Sequence, residues 1–168
     1  MRVLVLADTH MRADWDRSLP PRAWDRLADA DVILHAGDVI EGWVLDELAE
    51  LAPVHAVLGN NDRALVGSLP ETLELELAGV RIGMIHDSGP AAGRDARLHA
   101  RFPDRDVVVF GHSHIPWNAP GLDGQLLFNP GSPTERRRQP HRTVGVLELR
   151  AGRVLSAQVE VVDAQPSK

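Results

Sequence analysis

Five apolar runs of strand length in this chain each end in a polar cluster of aspartate, asparagine or histidine, and this placement limits the fold more than any other feature. Asp8, Thr9 and His10 follow the run at 3–7, and Gly37 and Asp38 follow the run at 32–36. Gly59, Asn60, Asn61 and Asp62 follow 54–58, His86 follows 80–85, and Gly111, His112, Ser113 and His114 follow 107–110. In open α/β sheets ligands bind in the crevice beyond the carboxyl ends of the strands, so clusters placed this way can converge there. Asp8 and His10, like His112 and His114, are two residues apart, and in extended backbone such residues share a face. Each pair can therefore clamp one metal ion or two adjacent ones.

The segments between the runs fit that arrangement. Trp24, Leu27 and Ala28 recur at helical spacing within 22–30, with Pro21 at its start, and Leu45, Leu48 and Ala49 do so within 43–51. The first third of the chain therefore reads βαβαβ, which predicts parallel pairing with right-handed crossovers. Residues 72–77 read TLELEL, a strict alternation that marks a strand with one wet face, and Ala78 and Gly79 turn it into 80–85. A helix is expected over 91–101, a further strand over 125–128, and a hairpin of 143–149 with 154–161 around Ala151 and Gly152. Asn129, Pro130, Gly131 and Ser132 fit a type II turn. No linker or repeat interrupts the pattern, so a single domain over 1–163 is expected, followed by a frayed tail at 164–168.

A chain of 168 residues that is 43% hydrophobic and 25% charged can bury an ordinary core without staples. It has no cysteine, which excludes disulfides and thiolate metal sites. Eight histidines beside an excess of carboxylates instead suit hard or borderline divalent metals. No apolar run nears the roughly 20 residues of a membrane helix, and no small-residue cleavage site follows the first run. A cytoplasmic location is the expectation. The net charge of −6 argues against a face for long nucleic acid, but not against a phosphate substrate held by metal ions.

Taken singly, each cluster has an ordinary reading: a cap and a surface histidine at Asp8 and His10, a turn at Gly37 and Asp38, a loop over 59–62. His35 and His55 lie in strand runs and read as core or supporting histidines. Arg136, Arg137 and Arg138 read as a solvated face or, at Arg137, as an anchor for a substrate phosphate. Together and in order, the clusters are not explained by coincidence. The set DTH at 8–10, GDV at 37–39, GNND at 59–62, His86 and GHSH at 111–114 resembles the calcineurin-like metallophosphoesterase superfamily. HAGDV at 35–39 and NPGS at 129–132 resemble its small bacterial and archaeal phosphodiesterase branch, which is also similar to the eukaryotic retromer subunit Vps29.

The resemblance implies an α/β fold, a four-layer αββα sandwich of two mixed β-sheets. It implies a first metal held by Asp8, His10, Asp38 and His114, and a second by Asp38, Asn60, His86 and His112, with Asp38 bridging. Two divalent ions against two carboxylates leave a site near +2, which favours a phosphate and a bridging hydroxide. Manganese is inferred first, with iron, nickel or zinc as alternatives. The implied reaction is hydrolysis of a phosphate ester, in the first instance a diester, by in-line attack of that hydroxide. Asp38, Asn60, Asp62 and His112 are the expected catalytic set, Asp62 as a carboxylate that orients a ligand or the nucleophile, with Asn61 and Arg137 at the substrate. Two features depart from the family. Its phosphatases and cyclic-nucleotide phosphodiesterases carry a histidine where this chain has Asn61, and an amide cannot act as a general acid. His86 is followed by Asp87 and Ser88 rather than Gly-His.

The expected partner is a small phosphate ester, with self-association allowed and neither membrane nor long nucleic acid expected. The alternative from another class is a protein-binding scaffold of the Vps29 kind with a vestigial metal site; a phosphomonoesterase or a nuclease acting on a small nucleotide is a further one. All seven implied ligand positions hold residues able to bind metal, which a scaffold has no reason to keep. Trp15, Trp43 and Trp117 are candidates for a substrate cleft or a dimer face.

Overall fold

The computed structural model describes residues 1–163, so the tail expected at 164–168 lies outside the described residues. Among the described residues ten strands form two five-stranded sheets. The first contains β1 (Arg2–Leu6), β2 (Val32–His35), β3 (Val54–Ala56), β9 (Thr143–Arg150) and β10 (Arg153–Val161), in the order β10-β9-β1-β2-β3. The second contains β4 (Thr72–Leu77), β5 (Val80–Ile85), β6 (Val107–Val109), β7 (Trp117–Pro120) and β8 (Leu126–Asn129), in the order β4-β5-β6-β8-β7. Strands β1, β2 and β3 are parallel, as are β5, β6 and β8, while the remaining pairs are antiparallel, so both sheets are mixed.

Side-chain parity along each strand assigns the layers. Val3, Val5 and Ala7 pack with Ile82, Met84, Val109 and Phe128 in a core between the two sheets. Leu4, Leu6 and Ile33, of opposite parity, pack against Ala23 and Leu27 of α1 (Pro21–Ala28) and Val44 and Leu48 of α2 (Gly42–Ala49). Val108, Phe110 and Leu127 meet Leu98 and Phe102 of α3 (Arg94–Arg101) on the far side. The result is the four-layer αββα sandwich. Among the described residues no helix is long and apolar enough to cross a membrane.

The strands and helices lie where the sequence pattern puts them, with two differences. The helices are shorter than their periodicity suggests; α3 begins at Arg94 because the preceding Gly93, at φ +69°, is left-handed and cannot belong to a right-handed helix. Strand β7 was not expected, since WNAP is mostly exposed and ends in proline. Its place at the sheet edge accounts for both properties.

The inter-sheet core depends on a close fit between β8 and β9. The ring of Phe128, fully buried, lies against Gly145, where a Cβ would come within 2.3 Å of Phe128 Cε1. Replacing Phe128 by alanine empties the centre of the sandwich and is expected to cost about 3–5 kcal/mol. Urea unfolding would show this as a lower midpoint at unchanged slope; a loss under about 1 kcal/mol would mean that the sheets collapse over the gap.

Candidate metal centre

The carboxyl ends of β1, β2, β3, β5 and β6 meet at one edge of the sandwich, and each delivers its polar cluster there. Asp8, His10, Asp38, His86 and His114 are buried, His112 is half-buried, and Asn60 and Asn61 face solvent. The pleat of a strand is not what aims these side chains. Asp8, His10, Asp38, His112 and His114 all have positive φ, from +45° to +67°, so each departs from its strand through left-handed backbone. Asp8 and His10, two residues apart, do converge, but through left-handed backbone rather than extended chain. Such φ values in non-glycine residues cluster at functional sites, where the surroundings over-determine them.

Several contacts hold this geometry. Asp62, buried, accepts the backbone N–H groups of Asp38 (2.9 Å) and Gly59 (2.7 Å) on Oδ2 and that of Ile40 (2.7 Å) on Oδ1. Gly59 approaches so closely that a Cβ there would lie 2.1 Å from Asp38 N. On the other side Ser132 Oγ donates to the Asp8 carbonyl at 2.8 Å and Thr134 Oγ1 to the Thr9 carbonyl at 2.6 Å. The NPGS turn and the two residues after it thus fix the loop that carries Asp8 and His10. His35 is fully buried with Nε2 3.1 Å from Thr9 Oγ1, a supporting place rather than a ligand's.

The imidazoles are fixed by carbonyls that no sequence signal marks. His86 Nδ1–H donates to Ala36 O and His114 Nδ1–H to Glu135 O, both at 2.7 Å, which leaves each Nε2 lone pair pointing into the site. There Asp38 Oδ2 lies 3.4 Å from His10 Nε2 and 3.5 Å from His86 Nε2, while Asp8 Oδ1 is 3.5 Å from His114 Nε2. The amide oxygen of Asn60 is 3.0 Å from His86 Nε2 and 2.8 Å from His112 Nδ1. Asn61 donates its backbone N–H to Asp38 Oδ1 (2.9 Å) and its amide to Oδ2 (2.7 Å).

A divalent cation fits this donor set. Asp8 Oδ2, His10 Nε2 and His114 Nε2 are buried without a hydrogen-bond partner, and a buried polar atom left so is costly. The ligand atoms of Asp8, His10 and His114 lie within 4.8 Å of one another, as do those of Asp8, Asp38 and His86. All are oxygen or imidazole nitrogen, suited to borderline and hard divalent ions. Burial pushes the Asp8 carboxyl up to about 7, with the neighbouring Asp38 charge adding to the effect and His86 opposing it. Burial lowers His114 to about 4 and also lowers His10, so both imidazoles are neutral at neutral pH and could serve as ligands. Burial acts to raise Asp38, but the hydrogen bond and charge of His86, together with the Asn61 donors, hold it well below the usual carboxylate range. His86 is correspondingly raised by Asp38 against its own burial.

The remaining sequence candidates are distributed around this set. Arg137, exposed, reaches the His112 carbonyl at 3.4 Å and so borders the site. Trp15 lines a recess beside His10, whereas Trp43 donates to Glu41 and Trp117 lies against Arg94.

Residues 1–152 match the calcineurin-like phosphoesterase superfamily domain. A probable metallophosphoesterase from Methanothermobacter thermautotrophicus is 36% identical over 139 residues, 82% of this chain and 80% of that one. Wild-type Vps29 from Entamoeba histolytica, crystallised with zinc, is similar in structure with a TM-score of 0.76 at 26% identity, covering 97% of this chain and 99% of its own. An archaeal phosphodiesterase gives a TM-score of 0.70 at 20% identity over 96% and 99% of the two chains, a likeness of fold.

The raised Asp8 carboxyl makes cation binding pH-dependent with a definite sign. Below about pH 7 the metal-free protein holds a proton on Asp8 that a cation must displace, so affinity falls on acidification, by about tenfold per pH unit for each proton released. Calorimetric titration with Mn²⁺ at pH 8, 7 and 6 is expected to show this weakening together with proton release. Equal affinity at pH 8 and pH 6 would place the ion away from Asp8.

Proposed function

Since the chain belongs to the calcineurin-like phosphoesterase superfamily, we propose that it is a metal-dependent phosphodiesterase acting on a small phosphate ester at a paired-metal centre. The observation that carries this reading is the placement of Asp38 Oδ2 between His10 and His86, next to the partnerless atoms of Asp8, His10 and His114. A carboxylate between two imidazole groups is suited to bridge two ions, one with Asp8, His10 and His114, the other with Asn60, His86 and His112. Manganese is the first choice, with iron, nickel or zinc as alternatives; the zinc-bound Vps29 relative supports a divalent ion on this fold. When bound, such a pair supplies Lewis acidity toward a phosphoryl oxygen and lowers the pKa of water.

The protein's own residues supply position and charge. Asp62 sets the backbone from which Asp38 projects, and so acts on the reaction through Asp38. Arg137 offers a cation at the rim for a phosphoryl oxygen, and its exposure lets it follow the substrate. Asn61 faces both Asp38 and solvent and has no proton to give to a departing oxygen. The leaving group then departs largely unprotonated, which favours activated diesters over alkyl monoesters. The archaeal phosphodiesterase of the same fold is compatible with a diester, and the location expected for such an enzyme is the cytoplasm.

Activity on bis(p-nitrophenyl) phosphate with Mn²⁺ is the primary test, with p-nitrophenyl phosphate expected to turn over more slowly. Asp38→Asn removes half of the site's carboxylate charge and loosens both ions, so it should reduce activity more than His10→Ala, by a further ~10-fold or more. An Asp38→Asn protein with unchanged metal content and turnover would refute the bridging role. Across a series of aryl diesters, rates should fall steeply as the leaving-group pKa rises; a flat series with chemistry rate-limiting would reveal another acid.

A further inference from the structure

The carboxyl edge opens into two clefts that share no residue, one on each side of the ligand cluster. The larger, about 420 Å³, lies on the Asn60 and His86 side, and Glu71 and Asp87 contribute carboxylates to it. Its cation, Arg101, is already engaged, donating to Thr72 Oγ1 at 2.7 Å and lying over the Phe102 ring. The smaller, about 250 Å³, lies on the His10 and Asn61 side and is completed by Arg12, Trp15, Ile40 and Arg63. No carboxylate lines it. In a chain of net charge −6, this recess beside the candidate centre has cationic and imidazole groups as its only ionisable lining.

The two arginines of the smaller recess differ in what occupies them. Arg12 is paired with Asp14 at 2.9 and 3.0 Å and lies over Trp15. The exposed Arg63 side chain has no hydrogen bond or ion pair among the described residues. Its backbone is nevertheless held in place: Arg63 opens a 3₁₀ turn, Arg63–Leu65, directly after Asp62, whose carboxylate is bound to the Asp38 and Gly59 N–H groups. An uncommitted guanidinium is thus carried on the loop that positions Asp38.

We propose that this recess receives one ester arm of the substrate and that the arm carries a second anionic group, a further phosphate, held by Arg63. The substrate would then be nucleotide-like in its charges: a diester with one arm bearing an additional phosphate. Guanidinium pairs with phosphate through parallel N–H···O contacts, and the pair is strongest where no internal carboxylate competes. Glu71 and Asp87 repel the same group from the larger cleft, which sets the direction in which the diester lies. The assignment of an ester arm rests on the phosphodiesterase reading; the anion subsite does not.

Calorimetry on Mn²⁺-loaded protein, comparing thymidine 3′,5′-bisphosphate with thymidine 5′-phosphate, tests the subsite without turnover. The bisphosphate is expected to bind about tenfold more tightly, and this ratio should fall to within about twofold of unity in Arg63→Gln. The ratio should persist in Arg153→Gln, an exposed arginine at the start of edge strand β10. Equal affinity for both ligands in the parent protein, or a preference that survives Arg63→Gln, overturns the subsite. The matching p-nitrophenyl diesters, thymidine 5′-(p-nitrophenyl phosphate) with and without a 3′-phosphate, then test the function separately. A lower KM for the 3′-phosphate ester at similar kcat is expected. Tighter, Arg63-dependent binding without hydrolysis of either ester would uphold the subsite and overturn the phosphodiesterase reading.

Discussion

Two carboxylates, Asp8 and Asp38, are buried next to each other where the two sheets end, and the local structure is organised around that unfavourable proximity. Their burial differs in outcome. Asp38 receives two hydrogen bonds from Asn61 and the proximity of His86, and remains a carboxylate. Asp8 receives only the His112 backbone N–H, at 3.1 Å on Oδ1, and its other oxygen has no partner. A buried carboxylate with half of its acceptor capacity unused is unstable as an anion unless a cation joins it. His10 and His114, which burial holds neutral, contribute lone pairs at the same point and no positive charge. The imbalance is therefore local and specific: Asp38 is stabilised by the Asn61 donors and the nearby His86, whereas nothing comparable faces Asp8 Oδ2.

Keeping these groups together costs backbone strain. Left-handed φ in a non-glycine residue costs on the order of 1–3 kcal/mol, and five of the candidate ligands have it. The strain is tolerated because the loops are tied by hydrogen bonds from outside the ligand set, the loop at 111–114 by Asn129 Nδ2, which donates to Gly111 O at 2.9 Å. Asp62 fastens the second and third loops to each other, and Ser132 and Thr134 fasten the first. Asp62 also explains why a loop of exposed asparagines can hold a fixed geometry. Its three acceptor contacts are all to backbone, so Asn60 and Asn61 keep their side chains free for the site.

The layers of this fold were readable because apolar runs in covered strands and strict alternation in half-wet ones are direct consequences of burial. TLELEL at β4 and the βαβαβ opening needed no structure to interpret. Strand β7 was not legible, since an edge strand with exposed Trp117 and Asn118 and a proline leaves no apolar signature. At the site, the residue types and their order in the chain were legible, but the reason they converge was not. Two-residue spacing suggests extended chain, whereas Asp8 and His10 are brought together by left-handed backbone at both residues. The carbonyls of Ala36 and Glu135 that choose the imidazole tautomers carry no side-chain signal at all. Arg63 was likewise invisible as a charge in a loop, because what distinguishes it is its place beside His10 and Asn61 in the folded chain.

The relative sizes of these effects separate the fold from its centre. A ligand present at 100 times its dissociation constant stabilises the folded state by about 2.7 kcal/mol, comparable to one strained residue. A single buried aromatic such as Phe128 contributes as much or more, and the inter-sheet core contains many apolar side chains of β1, β2, β5 and β6 at full burial. The sandwich therefore does not depend on the cation for its existence, unlike small domains that fold around a metal. What the cation relieves is confined to the loops beyond the strand ends, where the partnerless atoms and the left-handed residues coincide. Ions can then exchange at that edge while the layers beneath it stay assembled, and the ligand loops can be tuned for chemistry at little cost to the core.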